Sequence, residues 1–461
     1  MASIASSTVE HGTANSVALD PRKYQAINDL LGATDFNKPD VRDLLVKTYG
    51  DQGITGFLSL TGAVNSGGSA DQVEWFEEGR RHKLYTVSVA ETLVSGATPS
   101  PSTLKFDENP QKYDVLMSTA TGDKFIVTSE QTSPSADELI SIATLTGASS
   151  TEVFTDGSSF VYLGNMYPQG ANQPDFFQET TPKRRKNPYM IVKDRYEVNG
   201  SQATNVGYVN VGNGDYRWFM HGEQEARKRF MDRREMMLLF GEELAGAGNT
   251  AVTDVAGSQG YFSSLDARGI AVTATAADPL NTFTEFDLIL TELDRQGAPS
   301  EYAMYLNRKN SLAIDDMLAA GVATQVTAGL PGQFGAFNNN ADMAVQLGFK
   351  SFTRGGYTFH KHDWKLLNDP TLVGAVTGGP TGAMIPLANI ADARTGVKAP
   401  ALEMCYKEAN GYSREMEHWV TGGAVMGHNN NGDSGRDAAT FHYRSEIALV
   451  TRAANQHVVL K

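Results

Sequence analysis

The sequence predicts an α+β protein of more than one folded unit, on three observations. A long stretch with helical spacing of apolar residues runs from Asp215 to Ala245. Alternating apolar and polar runs, separated by turn clusters, fill the region between Tyr85 and Tyr162. From Asp278 onward, helix-like and strand-like segments take turns along the chain. At 461 residues the chain is also too long for one simple core.

The central stretch is the strongest helical signal. Phe219, Ala226, Phe230, Met237 and Leu244 recur at helical intervals, and Glu223, Arg227, Asp232, Arg234 and Glu242 lie opposite them. Roughly 30 residues at about 1.5 Å each predict a rod of about 45 Å, ended by Gly246 and Gly248. Ahead of it, residues 1 to about 20 are rich in Ser, Ala and Thr and predict a mobile arm. Two short helices are expected next. Pro21–Leu31 follows the N-cap candidate Asp20, and Asp40–Tyr49 carries an apolar stripe of Val41, Leu44, Leu45 and Tyr49.

Residues 53–70 are rich in Gly and Ser and predict an extended path. The segment Gln72–His82 sets Trp75 and Phe76 among Glu74, Glu77, Glu78, Arg80 and Arg81. Runs such as Tyr85–Ala90, Tyr113–Met117 and Lys124–Thr128 predict short strands, with a helix over Ala136–Ala143; together they predict a small inserted β-domain. Residues 167–188 have loop chemistry, and the basic run Lys183-Arg-Arg-Lys186 falls within it. Tyr189–Val198 predicts a strand that ends in a turn at Asn199-Gly200.

In the later part, Phe283–Gln296 predicts a helix introduced by Thr282 or Thr284, with Phe286, Ile289, Leu290 and Leu293 on one side. A strand over Glu301–Leu306 and a helix over Asn310–Ala320 follow. Strands at Lys350–Thr353 and Tyr357–Lys361 flank the hairpin turn signal Gly355-Gly356. The C-terminal strands are expected at Ala401–Lys407, Glu415–Thr421 and Phe441–Val450, and no repeat of 20 to 50 residues is visible.

Composition narrows the function. With 41% hydrophobic and 20% charged residues the chain can build a sizeable core without metals or disulfides. The single cysteine, Cys405, has no partner for an internal disulfide, which fits a reducing compartment. A net charge of −14 argues against tight binding to a phosphate backbone. It is compatible with a surface that coexists with nucleic acid without sticking to it. No basic start followed by an apolar run marks a signal peptide, and no stretch approaches the roughly 18 apolar residues of a membrane span. A soluble, cytoplasmic protein is the plain reading.

Each chemical look-alike has a plainer explanation. Asn431-Gly-Asp-Ser-Gly-Arg436 has the local pattern of a nucleophilic serine but no companion histidine motif upstream, so a polar turn explains it. His360 and His362 face the same way along a strand but lack a third ligand at metal-binding spacing. Gly329–Gly335 and Thr377–Gly382 are glycine-rich without the Lys-Ser/Thr that would cradle a phosphate. Asp315-Asp316 and Glu242-Glu243 sit where solvation or helix capping suffices. Lys183 to Lys186 could touch a nucleic acid or a neighbour's carboxylates, or be a solvated face. No catalytic, metal or cofactor site emerges.

Several features in order resemble the Hong Kong 97-type fold of tailed-bacteriophage major capsid proteins. Asn187-Pro-Tyr-Met-Ile-Val-Lys-Asp-Arg-Tyr-Glu-Val-Asn-Gly-Ser201 resembles the strand returning from that family's extended loop. It leads into Asp215–Ala245, where Asp232, Glu235 and Gly241 are placed as in the family's spine helix. Tyr302-Ala-Met-Tyr-Leu-Asn307 and its following helix resemble the axial domain, and Met384-Ile-Pro-Leu387 the peptide returning from it. Trp419-Val-Thr-Gly-Gly423 and His442–Val450 resemble late peripheral-domain strands. The likeness covers most of the chain from about residue 165. Between about 84 and 165 the sequence departs from it, and an insertion accounts for the extra length.

The resemblance implies this organisation: an N-terminal arm over 1–70, the start of the peripheral domain and extended loop over 71–84, a β-rich insertion over 85–165 and the returning strand over 166–212. The spine helix then covers 213–250, the axial domain 251–400 and the closing peripheral strands 401–461. It implies a non-enzymatic subunit, made in the host bacterial cytoplasm, that self-assembles through hexamers and pentamers into an icosahedral virion shell. The implied partners are identical copies, the portal, decoration or minor capsid proteins, and double-stranded DNA enclosed without sequence-specific contact; no cofactor or membrane is implied. Arg80, Arg81, Lys183, Arg184, Arg185 and Lys186 are the expected inter-subunit contacts. Another phage component (tail or portal), or a β-rich hydrolase or carbohydrate-binding protein, stays open as an alternative.

Overall fold

The computed structural model describes residues 64–80, 82–89, 93–94, 102–131, 138–146, 153–174, 182–204, 218–243, 257–274, 279–327, 350–387, 390–391, 398–422 and 438–461. The arm helices expected at 21–31 and 40–49, the glycine loop 329–335, the 431–436 motif and Arg81 lie outside them. The chain divides into two compact units. Among the described residues, one takes in those within 193–231 and 418–443, the other those within 64–192, 232–417 and 444–461.

The second unit opens with β1 (Val64–Ser66) and β2 (Gln72–Glu77). Eight strands follow: β3 (Leu84–Val89), β4 (Leu93–Val94), β5 (Ser102–Phe106), β6 (Asp114–Ser118), β7 (Lys124–Val127), β8 (Leu139–Thr144), β9 (Val153–Phe154) and β10 (Ser159–Asn165). Six of them close into a barrel in the order β10-β3-β5-β8-β7-β6, while β4 pairs with β9. Period-two burial builds this barrel. Tyr85 and Val87, Leu104 and Phe106, Phe125 and Val127, and Ile140 and Ile142 all point inward, and closure leaves no open sheet edge. The same alternation corrects the helix expected over 136–143, because Ile140 and Ile142 two apart suit a strand and bury nothing together on a helix. Four Phe rings fill the interior, with Phe154 5.2 Å and Phe106 5.7 Å from Phe160, and Phe125 5.4 Å from Phe154. Each buried ring contributes about 1.5–3 kcal/mol by leaving water.

Next come β11 (Lys183–Pro188) and β12 (Met190–Asn199). The turn expected at Asn199-Gly200 is instead a short helix, α1 (Gly200–Thr204), which buries Ala203. The long helix is α2 (Trp218–Phe240), whose 23 residues give about 34 Å. It stops before Gly241, earlier than expected. A Cβ on Gly241 would lie 2.5 Å from the Met237 carbonyl and 2.6 Å from that of Ser258, so only glycine permits this close passage. The expected apolar stripe holds at Ala226 and Phe230 but not at Met237, which is exposed. Leu238 and Leu239 are buried in its place, and so is Arg234, which the sequence put on the opposite face. Arg234 Nη1 donates to the Glu415 carbonyl at 3.2 Å.

The second unit continues with α3 (Tyr261–Arg268), β13 (Ile270–Val272), α4 (Phe283–Arg295), β14 (Glu301–Leu306), α5 (Arg308–Thr327), β15 (Ser351–Arg354), β16 (Tyr357–Asp363) and β17 (Gly382–Pro386). α4 starts with a complete capping box. The Thr282 hydroxyl accepts from the Glu285 amide, and the Glu285 carboxylate accepts from the Thr282 amide. Its buried face is Phe286, Ile289, Leu290 and Leu293, as the spacing predicts. Gly355 and Gly356 have φ of 58° and 86°, the left-handed values that a tight hairpin between β15 and β16 requires. Asp315 of α5 is not merely solvated: it pairs with Lys361 of β16 at 2.6 Å, both side chains largely buried.

The remaining strands are β18 (Ile390–Ala391), β19 (Lys398–Ala399), β20 (Leu402–Tyr406), β21 (Glu408–Ala409), β22 (Tyr412–Ser413), β23 (Glu417–Thr421), β24 (Ala438–Thr451) and β25 (Val458–Leu460). One mixed sheet has the order β13-β25-β17-β14-β16-β15, and another the order β1-β20-β24-β12 with β23 on β24. The other unit gathers an aromatic cluster. Phe230 stacks on Tyr443 at 5.6 Å, His418 on Tyr443 at 4.9 Å and Trp419 on His442 at 5.0 Å. The Tyr443 hydroxyl donates to Glu223 at 2.6 Å, and burial together with that carboxylate raises its pKa.

Two buried titratable groups give the second unit a pH dependence. Burial pushes the Asp114 carboxyl in the barrel up to about 6, against a backbone hydrogen bond from Gln111. Its folded form holds a proton that the unfolded form releases near 3.8, so its contribution weakens as pH rises through about 4 to 6. His457 has the opposite sign. Burial pushes its imidazole down to about 3, so stability is lost as pH falls below about 6.5 and the unfolded chain takes up the proton. Thermal melts are expected to show that Asp114→Asn stabilises at pH 7.5 more than at pH 4. His457→Gln should flatten the acid limb of the wild-type profile.

Candidate functional site

The basic run read as loop is β11, and it pairs antiparallel with β2 to form a two-stranded ribbon. Lys183 faces Glu77, Arg184 faces Phe76, Arg185 faces Trp75 and Lys186 faces Glu74. Neither strand announces itself alone, since each is dense in charge. Paired, their charges are complementary, and the ribbon becomes stable where either segment by itself would be solvated loop.

Alternation gives the ribbon two faces. Val73, Trp75 and Glu77 of β2 and Arg185 and Asn187 of β11 are half-buried or buried, whereas Glu74, Phe76, Arg184 and Lys186 are exposed. Phe76 is 68% exposed, the highest value for any large apolar side chain among the described residues. On the inner face Glu77 is a hub. It lies 3.2 Å from Arg185 Nε and 3.6 Å from Arg268 Nη1, and accepts from the Trp75 indole at 3.1 Å and the Ala453 amide at 3.2 Å. Arg184 lies 3.6 Å from Glu74. Burial holds the Arg268 guanidinium below its ordinary value, with Glu77 opposing the shift and Arg185 adding to it.

Asn187 anchors the ribbon's root. Its Nδ2 donates to the carbonyls of Gln259 at 2.9 Å and Leu449 at 2.7 Å, and its Oδ1 accepts from the Gln259 amide at 2.8 Å and the Ser258 hydroxyl at 3.2 Å. All four hydrogen-bonding positions of a buried amide are thus used. Beside this root a groove of about 580 Å³ is lined by Trp75, Lys183–Lys186, Glu243, Gln259, Ala267 and Arg268.

Of the expected contact residues, the structure therefore brings Lys183, Arg184, Arg185 and Lys186 onto one strand and one groove. Arg80 lies beyond β2 and donates to the Arg295 carbonyl of its own chain. The sequence missed Phe76, Glu77, Asn187 and Arg268 as members of this site. An exposed Phe next to a Trp in an acidic segment was the available signal for Phe76. Nothing local marked Asn187 or Arg268, and the cations that Glu77 pairs with lie 100 or more residues away. His360 faces Glu301 at 3.1 Å, and His362 stacks on Tyr305 at 5.0 Å. Among the described residues no group of three His, Cys, Asp or Glu is placed to hold a metal, and no helix is long and apolar enough to cross a membrane.

No family model and no curated protein matches the chain. Solved structures are similar to it over nearly its whole length at low identity. A chain from Gordonia phage Cozz is 11% identical, with 97% of this chain and 98% of that one covered and a TM-score of 0.41. A chain from the capsid of a native GTA particle is 10% identical over 95% and 99%, at 0.39. One from the capsid structure of cyanophage P-SCSP1u is 12% identical over 95% and 98%, at 0.34.

Asn187→Ala is expected to lower stability by about 3 kcal/mol or more, since it leaves the Gln259 amide and the Leu449 carbonyl without partners. Chemical denaturation measures this. Limited proteolysis should then cut near the ribbon before it cuts the barrel.

Proposed function

We propose that the chain is the major capsid subunit of a tailed bacteriophage, assembling with identical copies into an icosahedral shell around double-stranded DNA. The observation that carries the reading is the ribbon of β2 and β11. Its root is locked into the protein by Asn187, yet its outer face offers Phe76, Arg184 and Lys186 to solvent. An anchored element that leaves a large aromatic uncovered beside cations has the makings of an interface hot spot, where aromatic and Arg side chains concentrate binding energy.

The order of elements supports the same reading. Strand β12, helix α2, the mixed sheet with α4 and α5, strand β17 and the late strands β23 and β24 follow one another as the sequence resemblance requires. The barrel supports a mechanical role over a carbohydrate-binding one, because Phe106, Phe125, Phe154 and Phe160 are packed into its interior as a core. In this reading residues 85–165 are an insertion, Arg80, Arg81 and Lys183–Lys186 make inter-subunit contacts, and the arm over 1–70 grips neighbours. The function is structural and not catalytic. The subunit's partners in this reading are identical copies, the portal and decoration or minor capsid proteins, and it is made in the host cytoplasm.

Negative-stain electron microscopy of the purified full chain is expected to show closed shells. Monomers at every concentration and salt would overturn the proposal. Phe76→Ser should leave the melting temperature of the monomer nearly unchanged, because the ring is mostly in water, while sharply reducing the yield of particles in sedimentation.

A further inference from the structure

The groove at the ribbon root holds positive charge that the described residues do not fully neutralise. Glu74 and Glu77 engage Arg184, Arg185 and Arg268. Lys183 and Lys186 are exposed and, although opposite Glu77 and Glu74 in register, form no ion pair with a described residue. Arg268 turns a buried Nη1 toward Glu77 at 3.6 Å without a hydrogen bond. The groove lies along β11, which has β2 on one side and no strand on the other among the described residues. Such an edge presents backbone donors and acceptors to any extended chain laid beside it.

We infer that this groove receives an extended acidic segment of a second copy of the same chain, whose carboxylates pair with Lys183, Lys186 and Arg184. This rests on the shell-subunit reading and adds the receiving site and the chemistry of what it receives. Charge complementarity selects the occupant. Each copy carries a net charge of −14, so a cation-rich groove on one copy meets an acid-rich surface on the next. A nucleic-acid backbone fits less well. Its closely spaced phosphates would run past Glu243, Glu74 and Glu77, whereas isolated carboxylates on a peptide can sit between those groups.

The test uses particles assembled from equal amounts of isotopically heavy and light full-length chains, treated with a zero-length carbodiimide coupler. Mass spectrometry should find Lys183 or Lys186 joined to Asp or Glu of a chain with the other label. Same-chain links alone, in well-formed particles, would overturn the inference and leave the shell reading standing. The variant Lys183→Glu/Lys186→Glu should reduce particle yield about tenfold with the circular dichroism spectrum unchanged. Lys183→Arg/Lys186→Arg should restore the yield while abolishing the coupling, since the charge stays and the amine goes. Wild-type yield from the double Glu variant also overturns the inference. Absence of particles from the wild-type chain fails the shell reading, and the inference with it.

Discussion

One amide side chain governs the site. Asn187 sits near the end of β11, just before β12, and uses every hydrogen-bonding position on the backbone of Gln259 and Leu449 and the hydroxyl of Ser258. Those partners are far apart in sequence, so the amide ties three segments at one point. A two-stranded ribbon in water is marginal by itself. Fixing its root removes much of the conformational freedom that an interface would otherwise have to remove on binding. The Glu77 hub then sets the ribbon's inner face against Arg268 and the Ala453 amide, leaving the outer face free.

What could be read from the sequence was local. The capping box at Thr282 and Glu285, the apolar face of α4 and the paired glycines of the β15–β16 turn are each encoded within a few residues, and each is found where expected. The alternation of the barrel strands was legible for the same reason. What could not be read depended on a partner elsewhere. Lys183–Pro188 looks like loop until Gln72–Glu77 is laid beside it. Arg234 looks like a solvated helix residue until the Glu415 carbonyl is found to receive it. Gly241 ends the long helix early because the carbonyl of Ser258 passes too near for any side chain. The candidate site was legible as a basic run, while its aromatic and its anchor were not.

The second unit balances two opposed ionisable residues. Asp114 is held among apolar neighbours where its neutral form is favoured, and His457 lies wholly inside with Tyr261 as hydrogen-bond partner at 3.1 Å. Raising pH penalises the first and lowering pH penalises the second. Neither belongs to the ribbon, although Arg268 of the groove adds its charge to the burial that holds the His457 imidazole down.

The barrel's first and last strands are neighbours: Leu84 of β3 lies opposite Val161 of β10. The polypeptide therefore enters and leaves the barrel at the same end, a few residues apart. A module joined to its host through such a narrow stem can be exchanged for a short turn, or for a foreign domain of similar footing, without moving the strands on either side. Variation in size and surface chemistry can accumulate there while the ribbon and its anchor stay as they are.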